Sequence, residues 1–270
     1  MTQSAYDVRV QPKLRLRSQG WQVGGMPTRL VHLVVDAADP PALARFWAQA
    51  LGWEIADEQP TEVDVWPRGY SYPDPVALPL VFVPVPEPKT GKNRVHIDLA
   101  SSSAEDQAAQ VNRLLSLGAT RADIGQGDVP FVVLADPEGN EFCVLDPRPV
   151  YADTGPVAAV VVDSADPAAQ ARFWSRAAGW VPQQENADFA SLRSPSGVGP
   201  FLEFLRTPDA KTVKHRIHLD VRPYPVEDYL DEARQLQELG AVPADVGQGD
   251  VRWEVLADPE GGEFCVLIPR

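Results

Sequence analysis

The stretch IGQGDVPFVVLADPEGNEFCVLDP, residues 124–147, occurs a second time in this chain of 270 residues. The second copy, VGQGDVRWEVLADPEGGEFCVLIP at residues 246–269, is identical to the first at 18 of 24 positions. Upstream, VVDAADPPALARFWAQALGW (34–53) and VVDSADPAAQARFWSRAAGW (161–180) are identical at 14 of 20 positions. Because each copy carries several predicted elements, the sequence indicates the duplication of a whole domain.

The duplication divides the chain into two predicted domains, residues 28–150 and 151–270, preceded by a basic arm of residues 1–27. In the arm, apolar and basic residues alternate through VRVQPKLRLR (8–17), which is the period of a half-buried strand. We therefore expect the arm to add an edge strand to the acidic body. A terminal extension that contributes nothing to the fold is the alternative.

Each copy is predicted to fold as β-α-β-β-β followed by β-α-β-β-β. The strand LVHLVVD (30–36) leads into a helix that begins at the N-cap Asp39 and ends at Gly52. A later strand, RVHIDLA (94–100), leads into a second helix, and FVVLAD and NEFCVLD then form a hairpin. Because one helix covers only one face of a sheet, we predict an α+β fold whose curled mixed sheets form open cups.

The composition excludes several classes of protein. The net charge is −14, which argues against nucleic acid and anionic membranes as partners. No apolar stretch approaches the ~20 residues of a membrane span, and the first residues lack the features of a secretory signal. Cys143 and Cys265 occupy equivalent strand positions, so we expect buried free thiols in a reducing cytoplasm rather than a disulfide.

The order of these motifs resembles the vicinal-oxygen-chelate superfamily. The spacing strand–Asp-Pro–helix–Gly-Trp, then His-x-Asp-Leu, then LADPEGNEFCVL, is similar to its glyoxalase/bleomycin-resistance branch, over about residues 28–270. The resemblance implies paired βαβββ modules that form a cup with a divalent metal ion on its floor. It also implies that the ligands come from the first and last strands of the modules.

In repeat 1 the resemblance implies His32, His96 and Glu141 as metal ligands, with Glu141 as the carboxylate that moves a proton. Two imidazoles and one carboxylate are a set that holds Zn, Ni, Fe, Mn or Co and leaves positions open for a substrate. We expect the donor atoms of the three side chains to lie within about 5 Å of one another.

In repeat 2 the set differs, because Ala159 stands where repeat 1 has His32. The matching residues are Glu203, His218 and Glu263, and Glu203 replaces Val81. Metal binding is therefore expected to be weaker in repeat 2. His215, which has Asn93 as its counterpart, is expected at the surface.

Structural explanations compete with these assignments. Strand histidines are often buried and hydrogen-bonded locally, and Glu141 and Glu263 follow a turn that they would close. Six aromatic residues are predicted either to wall the cups or to pack in the core: Trp66, Tyr70, Tyr72, Phe131, Phe201 and Trp253.

Three functions remain open from the sequence. The first is a metal-dependent isomerase, lyase or oxygenase that acts on a small substrate with vicinal oxygens. The second is a metal-free protein that binds a cationic aromatic compound such as a bleomycin-like antibiotic. The third is a duplicated scaffold with empty cups. The chain is expected to act as a monomer or homodimer, with cups formed either within or between the repeats.

Overall fold

A computed structural model describes residues 28–224 and 230–268 of the chain. The predicted basic arm, residues 1–27, lies outside the described residues. Within the described part, the fold consists of sixteen strands, four α-helices and one 3₁₀ turn. The two repeats show the same order of elements, as the duplication predicts.

The elements of the first repeat, in chain order, are β1 (Thr28–Ala37), α1 (Pro40–Leu51), β2 (Glu54–Gln59), β3 (Glu62–Trp66), β4 (Leu80–Pro84), β5 (Val95–Leu99), α2 (Ala104–Ser116), β6 (Thr120–Arg121), β7 (Val132–Ala135) and β8 (Glu141–Val144). The 3₁₀ turn Pro149–Tyr151 links the repeats. Those of the second repeat are β9 (Val157–Ser164), α3 (Pro167–Ala178), β10 (Val181–Glu185), β11 (Phe189–Arg193), β12 (Phe201–Arg206), β13 (Ile217–Pro223), α4 (Leu230–Glu238), β14 (Val242–Pro243), β15 (Glu254–Ala257) and β16 (Glu263–Val266).

The strands form two eight-stranded mixed sheets, and each sheet takes half of its strands from each repeat. The first sheet has the order β14-β15-β16-β13-β1-β4-β3-β2, and the second has β10-β11-β12-β9-β5-β8-β7-β6. At their centres, β1 pairs antiparallel with β13, and β9 pairs antiparallel with β5. The predicted α+β fold is confirmed, and the question of module pairing is answered: the halves are exchanged between the repeats.

The helices share a continuous apolar core with one face of each sheet. In α1 the buried residues Leu43, Phe46, Trp47 and Ala50 follow the helical period. Trp47 packs edge-on against Phe142 of β8 at 5.1 Å between ring centroids. The opposite face of the first sheet is called the β1–β13 cup here, and that of the second sheet the β5–β9 cup.

The repeated DPEG motif makes structural hydrogen bonds. The buried Asp136 carboxylate accepts hydrogen bonds from the backbone N–H groups of Glu138 and Asn140, both at 2.9 Å, and from Trp47 Nε1 at 3.1 Å. The Glu138 carboxylate accepts from the N–H groups of Ala38 and Asp39 at the start of α1. The motif therefore fixes the helix of one module to the hairpin of the next.

One loop contact joins the two repeats so closely that only glycine fits. Gly199 has a φ of +77°, and a Cβ atom there would overlap the carbonyl oxygen of Pro75 in the loop between β3 and β4. Gly199 also accepts hydrogen bonds from the Arg193 guanidinium through its carbonyl oxygen. The loops of the two cups are thus connected through Pro75 and Gly199.

Gly199→Ala is expected to lower the free energy of unfolding by about 2–4 kcal/mol, since it combines backbone strain with overpacking. Gly197→Ala is the matched control, because Gly197 has a φ of +71° but open space around its Cβ position. That variant is expected to lose only about 1 kcal/mol. Chemical denaturation of both variants provides the measurement. Equal losses in the free energy of unfolding would show that the close contact with Pro75 does not contribute to the cost of the substitution.

Candidate functional site

The exchange of modules separates the metal ligands predicted for repeat 1. His32 lies on β1 in the first sheet, whereas His96 on β5 and Glu141 on β8 belong to the second sheet. The structure therefore does not bring His32, His96 and Glu141 together. The reason is that the strand beside β1 is β13, which comes from the other repeat.

The residues predicted for repeat 2 are separated in the same way. Glu203 on β12 lies in the second sheet, and His218 and Glu263 lie in the first. His218 and His32 are consequently on the same sheet, in neighbouring strands, where Val34 is the register partner of His218.

Glu141 and Glu263 make structural contacts, but with the segments before β5 and β13 rather than within the hairpin that each follows. Glu141 accepts from Lys89 Nζ at 2.7 Å and from the Asn93 N–H at 3.1 Å. Glu263 accepts from Lys211 Nζ at 2.6 Å. Both carboxylates tie the segment before a central strand to the last strand of the same module. The role of Glu141 in proton transfer stays a prediction.

His215 was predicted at the surface, and this is wrong, because its side chain is buried. The backbone N–H of His215 donates to Glu263 Oε2 at 3.2 Å. Burial lowers the pKa of His215 to about 4, although the nearby Glu263 charge opposes the shift. The imidazole is thus neutral at physiological pH, and the backbone hydrogen bond to Glu263 fixes the loop before β13.

Four side chains with metal-ligating atoms meet on the floor of the β1–β13 cup. His32 Nδ1 lies 3.4 Å from Asp220 Oδ2, its register partner on β13. His218 Nε2 lies 3.6 Å from Asp220 Oδ1 and 3.6 Å from Cys265 Sγ. Donor atoms of His218, Asp220 and Cys265 all lie within 4.8 Å of one another.

The donor set in this cup fits a divalent ion. Imidazole nitrogen, carboxylate oxygen and thiolate sulfur are the ligands that zinc accepts in proteins. Asp220 Oδ1 is buried and has no hydrogen-bond partner, which is costly for a carboxylate unless a positive charge is supplied. Burial and the Asp220 charge raise the pKa of the Cys265 thiol well above its usual value, so the thiol is protonated when no cation is present.

Asp220 and Cys265 were not predicted as metal ligands from the sequence, and Cys265 was expected only as a buried thiol. The signal was present in the strand period, since residues two apart project from the same face. His218 and Asp220 are two apart on β13, and Phe264 on β16 faces the helices, which leaves Cys265 on the opposite face.

The β5–β9 cup contains an equivalent but smaller group. His96 Nε2 lies 3.4 Å from Asp98 Oδ1, and Cys143 completes a cluster with donor atoms within 4.8 Å. Ala159 stands beside Asp98 and provides no second imidazole. Glu203 is buried nearby, and burial together with the Asp98 charge raises its pKa to about 8.

Aromatic and cationic side chains surround the cluster in the β1–β13 cup. The Tyr72 ring lies 5.4 Å from the His32 ring, and the Arg222 guanidinium lies over Tyr72 at 5.4 Å. Trp66 and Tyr70 are in contact at 5.9 Å. Of the remaining predicted aromatic residues, Phe131 and Phe201 pack in the other cup, and Trp253 is 41% exposed.

The sequence profile of the glyoxalase-like domain matches residues 32–145 and again residues 159–267. The chain belongs to the glyoxalase-like domain family. The two matches coincide with the two repeats, and they cover the strands that carry the groups in both cups. The resemblance derived from the sequence motifs is thereby confirmed.

Solved structures support the same fold for this glyoxalase-like chain. The glyoxalase I of Zea mays superposes with a TM-score of 0.62 at 14% identity, covering 89% of this chain and 92% of the maize protein. A candidate dioxygenase from Bacillus subtilis superposes with a TM-score of 0.60 at 16% identity, covering 91% of this chain and 86% of that chain. At these identities the likeness concerns the fold alone.

A search of curated protein sequences finds no significant match. Within the described residues, no helix of this glyoxalase-like chain is long and apolar enough to cross a membrane.

Proposed function

We propose that this protein is a divalent-metal-dependent enzyme of the glyoxalase-like type, acting on a small substrate with vicinal oxygens in the β1–β13 cup. The observation that carries the proposal is the convergence of His32, His218, Asp220 and Cys265 on one sheet face. His32 comes from repeat 1 and the other three residues come from repeat 2, and they share one sheet because the repeats exchange modules.

Zinc is the ion that best suits the donor set. A thiol favours the softer divalent ions, and imidazole and carboxylate complete a four-residue set that zinc accepts. The other ions considered from the sequence, Ni, Fe, Mn and Co, remain alternatives to be separated by metal analysis. When bound, such an ion supplies Lewis-acid polarisation of a substrate oxygen.

The residues of the cup have separate tasks in this proposal. Asp220 accepts a hydrogen bond from His32 Nδ1. This contact fixes the imidazole in the tautomer whose Nε2 has a lone pair available to bind a metal ion. Asp220 Oδ1 lies 3.6 Å from His218 Nε2, and these two atoms would hold the ion together with Cys265 Sγ. Tyr72 lies against His32 and provides an aromatic surface for the substrate beside the donor atoms.

A metal-free binding protein is the second candidate, and the arginines of the cup favour it. Arg222 lies over the Tyr72 ring, and Arg29 lies over the Tyr224 ring at 5.2 Å. Two guanidinium groups beside aromatic rings suit an aromatic anion rather than the cationic compound expected from the net charge. In this alternative, the histidine–aspartate contacts stabilise the cup without any ion.

Metal analysis of protein purified without a histidine tag tests the proposal. The expected result is about one zinc or related divalent ion per chain, retained through dialysis and removed by a strong chelator. Re-addition of zinc is expected to raise the melting temperature of the chelated protein. A metal-free preparation whose melting temperature does not respond to zinc, nickel, iron, manganese or cobalt would leave the binding protein as the answer.

A further inference from the structure

The second sheet carries a small apolar core on the face opposite its helices. Its buried members are Phe131, Val133, Cys143, Leu145, Tyr151, Ala158, Ala159, Val161 and Phe201. Among the described residues, the corresponding face of the first sheet has no second cluster of this kind. The β5–β9 cup is therefore filled by side chains of the chain itself.

Tyr151 is the one member of this cluster that comes from the linker between the repeats. It ends the 3₁₀ turn Pro149–Tyr151, and its side chain is almost completely buried. Its ring packs edge-on against Phe201 at 5.6 Å between centroids. The ring thus enters the cup from outside both βαβββ modules that build the sheet.

The hydroxyl group of Tyr151 is hydrogen-bonded to the buried carboxyl group of Glu203. Tyr151 donates a hydrogen bond to Glu203 Oε1 at 2.9 Å, and Glu203 is only 5% exposed. A buried carboxyl is costly without such a bond. The matching residue of the other cup is Val81, so the acceptor is specific to this cup.

Space for the Tyr151 ring comes from a small residue. Ala159 is the register partner of both Phe201 and Asp98, and the corresponding residue of repeat 1 is His32. An imidazole at this position would project onto the same sheet face, beside Phe201. The cup therefore combines an apolar wall, a small floor residue and one buried acceptor.

We propose that the β5–β9 cup is a binding site for a phenolic compound, and that the chain occupies this site with its own Tyr151. The aromatic ring of the phenol packs against the apolar cluster, and Glu203 accepts a hydrogen bond from its hydroxyl group. A tethered side chain has an effective concentration in the millimolar range or above, so free phenols do not displace Tyr151 from the intact protein. This inference is independent of the metal site proposed for the other cup.

The experiment removes the Tyr151 side chain and adds a free phenol in its place. Tyr151→Ala is expected to melt at a lower temperature than the wild type, and p-cresol, the side-chain analogue of tyrosine, is expected to raise its melting temperature with saturation. Toluene has the same ring without the hydroxyl, and we expect it to bind on the order of tenfold more weakly. The wild type is expected to show no response to either compound at ~5 mM.

A second variant shows whether Glu203 is the acceptor. In the double variant Tyr151→Ala with Glu203→Val, which introduces the residue found at position 81, p-cresol and toluene are expected to bind equally. Tyr151→Phe keeps the ring and is expected to lower the melting temperature without creating a response to p-cresol. All measurements are made with a chelator present, so that their outcome does not depend on metal binding.

Three results would overturn the proposal. One is a Tyr151→Ala protein that p-cresol does not stabilise, or stabilises no better than toluene. Another is a Tyr151→Phe protein that melts like the wild type. If the Tyr151→Ala protein does not fold alone, it is refolded in the presence of p-cresol or of toluene. Recovery of folded protein with p-cresol supports the site, and failure to recover folded protein rejects it.

Discussion

Replacing His32 by alanine is expected to weaken binding of a divalent ion at least about 100-fold. Residues that only orient a metal ligand already contribute 10–100-fold to affinity, so removal of a direct ligand should cost more. His32 lies 3.4 Å from Asp220 on the floor of the β1–β13 cup, and its loss removes one of two imidazoles there. Zinc affinity, measured by competition with a chelating dye, is the quantity that checks this expectation.

His96→Ala is the matched control for that experiment. His96 occupies the equivalent strand position in the other cup, where Ala159 leaves a single imidazole. The variant is expected to leave the affinity of the tight site unchanged, whereas His218→Ala is expected to match His32→Ala. Equal losses in His32→Ala and His96→Ala would contradict the assignment of the site to the β1–β13 cup. Circular dichroism of the metal-free proteins shows whether each variant keeps the fold.

Asp136→Ala is expected to lower the free energy of unfolding by about 4 kcal/mol or more. The substitution leaves the N–H groups of Glu138 and Asn140 and the Trp47 indole N–H without their acceptor. Each buried donor that loses its partner costs about 1–3 kcal/mol. Burial raises the pKa of Asp136, because the ionised carboxylate is desolvated inside the protein. The substitution removes this desolvation cost, so the net loss of stability is smaller than the summed cost of the unpaired donors.

Trp47→Phe separates the contributions at Asp136. This variant removes one donor and keeps most of the aromatic packing against Phe142, so we expect a loss of about 1–2 kcal/mol. Chemical denaturation of both variants gives the comparison. An Asp136→Ala protein within 1 kcal/mol of the wild type would mean that water replaces the carboxylate, and that the DPEG motif is retained for another reason.

The fold could be predicted because its signals are local or repeated. The N-cap Asp39, the left-handed Gly52 and the period of α1 all act within a few residues, and the structure shows each of them. The duplication then doubles every such signal. The exchange of modules could not be predicted, because the two copies of a strand present nearly the same surface to either partner.

The candidate site was predicted only in part for the same reason. His32 and His218 were identified as candidate ligands, but they were assigned to different sites, since the partner of β1 depends on tertiary pairing. Glu141 and Glu263 were taken as ligands from the family resemblance. Their lysine partners lie about 50 residues away in the chain and could not be recognised from spacing.

The exchanged modules also impose an order on synthesis. The central pair of the second sheet joins residues such as Val95 and Val162, whereas that of the first joins His32 and Asp220, which are 188 residues apart. Loop-closure entropy and the direction of translation both delay the more distant pair. Until the ribosome has made β13, in the middle of the second repeat, β1 has no partner on that side. The nascent chain must therefore keep this edge of β1 from pairing with other strands until β13 emerges.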